Sequence, residues 1–178
     1  DRSSISAATM RYLVQRKNLG IHTDFLTDDI MRLIQSRAVS NRAKKVNKGK
    51  TVATMVIGSK ALYEFVDRNP YIELLPIDEV ANPFIMGQND NLVAIHAVSE
   101  MELTGVARVY NEGNLRIGSL AAGRDFINGA RRSEGGFTVM ALPSTTADGL
   151  ESRIIAMSPG IGTTFTRTKV DFVVTEYG

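Results

Sequence analysis

A strand–helix–strand unit between residues 51 and 75 constrains the fold of this chain more than any other feature. The run TVATMVIG (51–58) is short and nearly all apolar or β-branched, as a buried strand requires. Ser59 follows it as a helix N-cap, Ala61, Leu62, Phe65 and Val66 recur at helical spacing, and Asn69-Pro70 stops the helix. YIELL (71–75) is the next strand. Further strands are expected at 92–97, 137–142 and 170–175, with a short helix over 124–133. Alternation of this kind predicts an α/β domain, a mixed and partly parallel sheet flanked by helices. The less regular stretch 98–123 is expected to add antiparallel strands.

Upstream, residues 3–17 are rich in helix formers, with Ile5, Ala8 and Tyr12 on one face, and Asn18-Leu19-Gly20 breaks the pattern. A short stretch, Leu19 to Thr23, leads to a second helix from Asp28 to Arg37. Thr27 is its expected N-cap, and Ile30, Leu33 and Ile34 are its buried stripe. Between 37 and 50 stand Arg37, Arg42, Lys44, Lys45, Lys48 and Lys50. No aromatic is interleaved for base stacking, so we read a solvated connector rather than a phosphate-binding patch. No linker divides the 178 residues, and one domain is expected.

Composition removes whole classes of chemistry. There is no Cys, which excludes a disulfide scaffold, a Cys-type zinc site, an iron–sulfur cluster and a thiol nucleophile. Two histidines, His22 and His96, are too few for most His-built metal sites. The 21 basic residues nearly balance the 19 acidic ones, a net charge of +2 that argues against a nucleic-acid partner. No apolar run suits a membrane span and no signal-peptide core opens the chain, so a cytoplasmic protein is expected. The start at Asp1 and the stop at Tyr177-Gly178, directly after an apolar run, lead us to expect a piece of a longer protein.

General motifs carry the reading only part of the way. Gly118 to Asp125 imitates P-loop glycine spacing but lacks the Lys and Ser/Thr that hold phosphate and Mg²⁺. The small residues from Gly118 to Gly123 form an expected turn opening a helix near Arg124. Backbone amides there suit an anion or oxyanion; tight packing between strand and helix explains the same residues equally well. His22 beside Asp24 reads either as an acid–base pair or, more commonly for a lone His, as a structural residue.

Whole segments go further. LGIHTD (19–24), GKTVATMVIGSKALYEFVDRNP (49–70) and QNDNLVAIHAVSEMELTG (88–105) stand in order with DFINGARRSEGG (125–136), ALPST (141–145) and VDFVVTEYG (170–178). Together they resemble the C-terminal domain of the acetyl-CoA hydrolase/CoA-transferase family, which includes 4-hydroxybutyrate and succinyl-CoA:acetate CoA-transferases. The resemblance implies a CoA-transferase (NagB/RpiA-like) architecture in which residues 1–178 form the second domain and the N-terminal half is absent. It implies a cleft between the two domains, acyl-CoA and a small carboxylate acceptor as substrates, and no permanently bound cofactor. The N-terminal domain of the parent chain is the implied protein partner, and a homodimer is compatible with the family. The implied chemistry is covalent: a carboxylate attacks the thioester, and anhydride and CoA-thioester intermediates follow.

Carried over by position, the family's nucleophilic glutamate falls on Asp24, one methylene shorter, and a second active-site carboxylate falls on Glu176. The substrate-orienting asparagine is replaced by His96. The glycine-rich CoA-binding turn corresponds to Ser119, Leu120, Ala121, Ala122 and Gly123, where each Gly→Ala exchange adds a methyl and restricts φ. Departures gather at the reacting centre while scaffold segments are kept. The expected function is a CoA-transferase or acyl-CoA hydrolase, with little activity in the isolated domain. The alternative is a non-catalytic CoA- or acyl-CoA-binding module, and a purely structural domain ranks last.

Overall fold

The structure, a computed structural model, describes residues 4–109, 120–157, 165–166 and 169–178. Helix α1 (Ser4–Leu13) ends sooner than its composition suggests, because Arg16 N–H closes a turn on the Leu13 carbonyl and Asn18 takes φ 59°. Residues 19–24 then run extended, with parallel bridges from Leu19 to Val39 and from His22 to Val52. They continue into β1 (Phe25–Leu26) and α2 (Asp28–Gln35), whose Ile30, Met31 and Leu33 are buried. Thr27 has the extended backbone of an N-cap but its side chain makes no capping bond. The Asp28 carboxylate instead accepts from the Ser59 amide and hydroxyl at 2.9 and 2.6 Å.

The apolar run after residue 50 is two strands rather than one: β2 (Thr51–Ala53) and β3 (Met55–Val56). The break has a local cause. Thr54 and Met55 both donate their amides to the Asp24 carbonyl, so the chain changes neighbours there. Helix α3 (Lys60–Val66) follows, with the Ser59 hydroxyl accepting from the Leu62 amide as its composition predicts. Leu62 is fully buried, whereas Ala61, expected to face inward, is exposed. β4 (Ile72–Leu74) lies parallel to β2, and β3 lies parallel to β1. Two short helices, α4 (Ile77–Val80) and α5 (Pro83–Met86), were not legible as periodic segments. Asn82 caps α5 through the amides of Phe84 and Ile85.

The second half holds β5 (Val93–Ala97), β6 (Glu100–Glu102), β7 (Ala107–Arg108), α6 (Leu120–Arg132), β8 (Phe137–Ala141), β9 (Ile154–Ile155) and β10 (Phe172–Val174). Strands β10, β8 and β5 form a parallel sheet, and α6 crosses between β5 and β8 in the manner of a βαβ unit. β6 is antiparallel to β7 and parallel to β9, so the expected antiparallel pairing lies within the irregular region.

Two apolar clusters support these sheets. One joins Leu26, Ile30, Met31, Ala53 and Leu62; the other joins Val98, Met101, Ala107, Ile127, Met140, Leu142 and Phe165. At the α5–α6 contact, a Cβ on Gly129 would lie 2.3 Å from Met86 Cγ, so only glycine admits that approach.

Candidate active site

Extended residues 21–24 bring one side of the site into place, and the segment before β2 holds them there. Asn41 Oδ1 accepts the Ile21 amide at 2.8 Å while its Nδ2 donates to Thr51 Oγ1 at 3.0 Å. Lys44 Nζ donates to the carbonyls of Ile21 and Lys50 at 3.1 and 2.8 Å. Both residues are buried, 4% and 6% exposed, so the solvated-connector reading fails at these two positions. The aliphatic stem of Lys44 fills the interior and its head bonds two carbonyls, that of Ile21 being shared with the Val52 amide. Burial lowers its ammonium to about 8, with Glu73 pulling the other way.

Residues two apart in an extended chain share a face, so His22 and Asp24 point the same way. His22 bonds through Nε2 to the Val80 carbonyl at 2.7 Å and meets the ring of Phe126 edge-on at 6.2 Å. Burial holds its imidazole below its usual range. These contacts make His22 a bracket between α4 and α6 rather than an acid–base partner. One oxygen of the Asp24 carboxylate accepts the Phe25 amide at 3.0 Å and the Thr23 hydroxyl at 3.5 Å.

His96 supplies the opposite wall. It lies on β5, in register with Met140 of β8. Its ring packs against Phe165, centroids 5.3 Å apart, and its Nε2 is buried with no hydrogen-bond partner. Burial lowers the imidazole to about 4, while the negative charge of Asp24 opposes that shift and so stands within electrostatic reach of the ring.

The first turn of α6 closes the site from above. The helix begins at Leu120, four residues before the start expected near Arg124, so Leu120, Ala121, Ala122 and Gly123 are helical rather than an open turn. Leu and Ala are strong helix formers, which explains the earlier start. Ala122 is buried, 4% exposed. A Cβ on Gly123 would lie 3.2 Å from Phe165 Cζ and 3.7 Å from His96 Cε1, so the bare glycine lets the Phe165 ring pack closely on the helix, with the imidazole in ordinary contact distance beside it. Ser119 lies outside the described residues.

Glu176 follows β10 and accepts from the Ser144 amide and hydroxyl at 2.9 and 2.6 Å. Those bonds favour the ionised form and hold its carboxyl below the usual range. Among the described contacts, none joins Glu176 to Asp24 or His96. The structure thus gathers Asp24, His96 and Gly123, and leaves Glu176 clamped to the loop after β8. Asn41 and Lys44 are the positioning residues that sequence reasoning missed. Their one signal is a polar pair three apart directly before a buried strand, which a surface connector also shows. Among the described residues no group of three His, Asp or Glu side chains suits a metal, and no helix is long and apolar enough to cross a membrane.

Known proteins resemble the chain over nearly its whole length. Residues 58–178 match the family model described as the acetyl-CoA hydrolase/transferase C-terminal domain. The chain is 38% identical over 176 residues to the 4-hydroxybutyrate coenzyme A transferase of Clostridium kluyveri, covering 98% of this chain and 41% of that protein. It is 39% identical to the succinyl-CoA:cyclohexane-1-carboxylate CoA transferase of Geobacter metallireducens, covering 98% and 40%. Among solved structures, RipA from Yersinia pestis superimposes with a TM-score of 0.90 at 34% identity, covering 100% of this chain and 39% of RipA. A 4-hydroxybutyrate CoA-transferase from Porphyromonas gingivalis gives 0.84 at 40% identity, covering 99% and 41%. The chain therefore spans about two fifths of the length of these relatives.

Proposed function

This chain belongs to the acetyl-CoA hydrolase/transferase C-terminal domain family, whose relatives are named as CoA-transferases, and on that premise we propose that it forms the acyl-transfer half of an enzyme acting on acyl-CoA thioesters. The observation that carries the reading is the meeting of the Asp24 carboxylate, the His96 imidazole and the first turn of α6 at the end of a parallel sheet. Crevices at the carboxyl ends of parallel strands are where such folds bind ligands.

In this reading Asp24 attacks the thioester carbonyl, forms a mixed anhydride and expels CoA as thiolate. The thiolate returns to the aspartyl carbonyl, displacing the acyl group as its carboxylate and leaving an aspartyl-CoA thioester. An acceptor carboxylate then takes up the CoA. The positive end of the α6 dipole faces the developing oxyanion. His96 and the first turn of α6 line the acyl-CoA path, and Glu176, ionised and clamped by Ser144, is the second carboxylate. The other wall of the cleft comes from an N-terminal domain of the parent chain, so residues 1–178 alone turn over little or nothing. Coenzyme A enters and leaves as substrate.

One observation favours a second reading, a module that binds acyl-CoA without turnover. The Asp24 carboxylate is short, and one of its oxygens is already engaged by the Phe25 amide. A misplacement of about 1 Å at a reacting atom costs on the order of a hundredfold in rate. Peptide mass spectrometry of the full-length protein after acetyl-CoA and hydroxylamine trapping decides between them. A hydroxamate on Asp24 supports covalent transfer. Unmodified Asp24, in protein that binds CoA, replaces the enzyme with the binding module. Asp24→Glu is expected to change turnover by at least tenfold under the first reading and to leave it at zero under the second.

A further inference from the structure

We propose that the cleft between α5 and the last turns of α6 is a second ligand site, which takes a nucleoside phosphate at the end of the sheet remote from Asp24. It stands independently of the covalent reading of Asp24.

The cleft has a volume of about 430 Å³ and is lined by Pro83, Phe84, Asn128, Arg131 and Arg132. That volume lies within the range of small-molecule sites, about 300–1,000 Å³. Helix α6 starts beside His96 near the carboxyl end of β5 and leads back to the start of β8. Its last turn therefore stands at the amino ends of the parallel strands, where Lys169 and Asp171 also precede β10. Nine residues of helix separate Gly123 from Arg132, roughly 13 Å along the axis. A ligand in this cleft leaves the acyl-CoA path open.

Charge, flatness and anchoring select the ligand. Arg131, Arg132 and Lys169 gather around one carboxylate, Asp171, which lies 3.6 Å from Arg131. That separation exceeds the length of a tight charge-assisted bond, about 2.7–2.9 Å. Asp171 Oδ2 is moreover committed to the Thr138 amide and hydroxyl at 2.8 and 2.9 Å. Among the described residues no carboxylate pairs with Arg132. Its guanidinium instead lies 4.1 Å over the ring of Phe84, which is 67% exposed. Stacking holds the guanidinium flat, directs its edge donors at phosphate oxygens and offers a base a planar surface. The roots of the cations are fixed. Lys169 Nζ donates to Asn128 Oδ1 at 2.9 Å, and a Cβ on Gly87 would lie 2.7 Å from Arg132 Cβ, so the α5–α6 crossing is tight there. A helix C-terminus alone favours Arg131 and Arg132, but it asks for no exposed phenylalanine beneath one of them. A simple anion would use the cations and leave the ring idle; a nucleotide uses both.

The test titrates ADP into the full-length protein by calorimetry, beside adenosine and pyrophosphate, and follows acetyl-CoA turnover in the same preparations. ADP is expected to bind at least tenfold more tightly than either fragment. Arg132→Ala and Phe84→Ala, checked for folding by thermal melts, are expected to weaken ADP at least tenfold and to keep KM for acetyl-CoA within twofold. No ADP binding by the wild type overturns the proposal, as does unchanged ADP affinity in both folded variants. Pyrophosphate binding as tightly as ADP overturns the nucleotide assignment. A KM for acetyl-CoA that rises in step with the loss of ADP would make the cleft the seat of the nucleotide end of CoA and overturn the second site. ADP binding is read without turnover, so an inactive Asp24 fails separately from this proposal.

Discussion

Burial draws the His96 imidazole down to about 4 from 6.5, and that shift ties the site to the stability of the whole chain. As pH falls through 6.5 the unfolded chain takes up the proton first, since its histidine is unperturbed and the folded one resists. Folding stability is therefore fully present above 6.5 and is lost progressively down to about 4. A shift of this size corresponds to roughly 3–3.5 kcal/mol at most. His96→Asn removes one of two histidines whose pKa burial lowers, so its urea midpoint is expected to fall less steeply between pH 7 and pH 5 than that of the wild type, the remaining fall coming from His22. Equal slopes in the two proteins would disprove the assignment. Asp24→Asn should steepen the acid loss in the histidine protein, because the Asp24 charge is what supports the protonated ring.

The site depends as much on its supporting segments as on its reacting groups, and here the limits of sequence reading are physical. Strands β5, β8 and β10 were legible because apolar runs of strand length lie between clear breakers. The first turn of α6 was misread as an open turn because Ala-Ala-Gly carries no boundary signal; the packing of Phe165 and His96 on Gly123 lies far off in sequence. The pairing of Asp24 with His96 was proposed through the family resemblance, since two isolated residues 72 positions apart show no spacing pattern; the residues themselves pointed only to Asp24 beside His22. Asn41 and Lys44 were missed because their polarity reads as exposure, and only the tertiary fold supplies the Ile21 backbone groups they bind. Asn41→Ala leaves the Ile21 amide unpaired and is expected to cost about 1–3 kcal/mol. It should also lower turnover, since Asp24 sits three residues beyond the amide that Asn41 fixes. A denaturant midpoint and a rate measured on the same sample check both. Loss of stability with unchanged turnover would show that residues 21–24 hold their course without it.

At the scale of the whole molecule, the parallel sheet is not covered evenly. A parallel sheet normally has both faces buried, yet Phe172, Val173 and Val174 of β10 are all exposed, and Tyr177 beyond them is 87% exposed. Among the described strands β10 is also an edge strand, paired only with β8. Apolar side chains beside a free strand edge favour pairing between chains, and the 178 residues spanning two fifths of their relatives' length should self-associate in isolation. The polar fraction of the molecule argues the same way, because a net charge of only +2 gives little repulsion between copies. Val173→Lys places a charge on the edge and is expected to raise the monomer fraction of the isolated chain in size-exclusion chromatography. Thermal stability should hold within about 0.5 kcal/mol, as for an exposed site away from the core. In the full-length protein the same substitution should weaken folding or solubility, because there the edge is expected to meet the rest of the chain. If Val173→Lys leaves association of the isolated chain unchanged, the β10 edge is not what draws copies together, and the exposed Leu150 and Met157 become the surface to test.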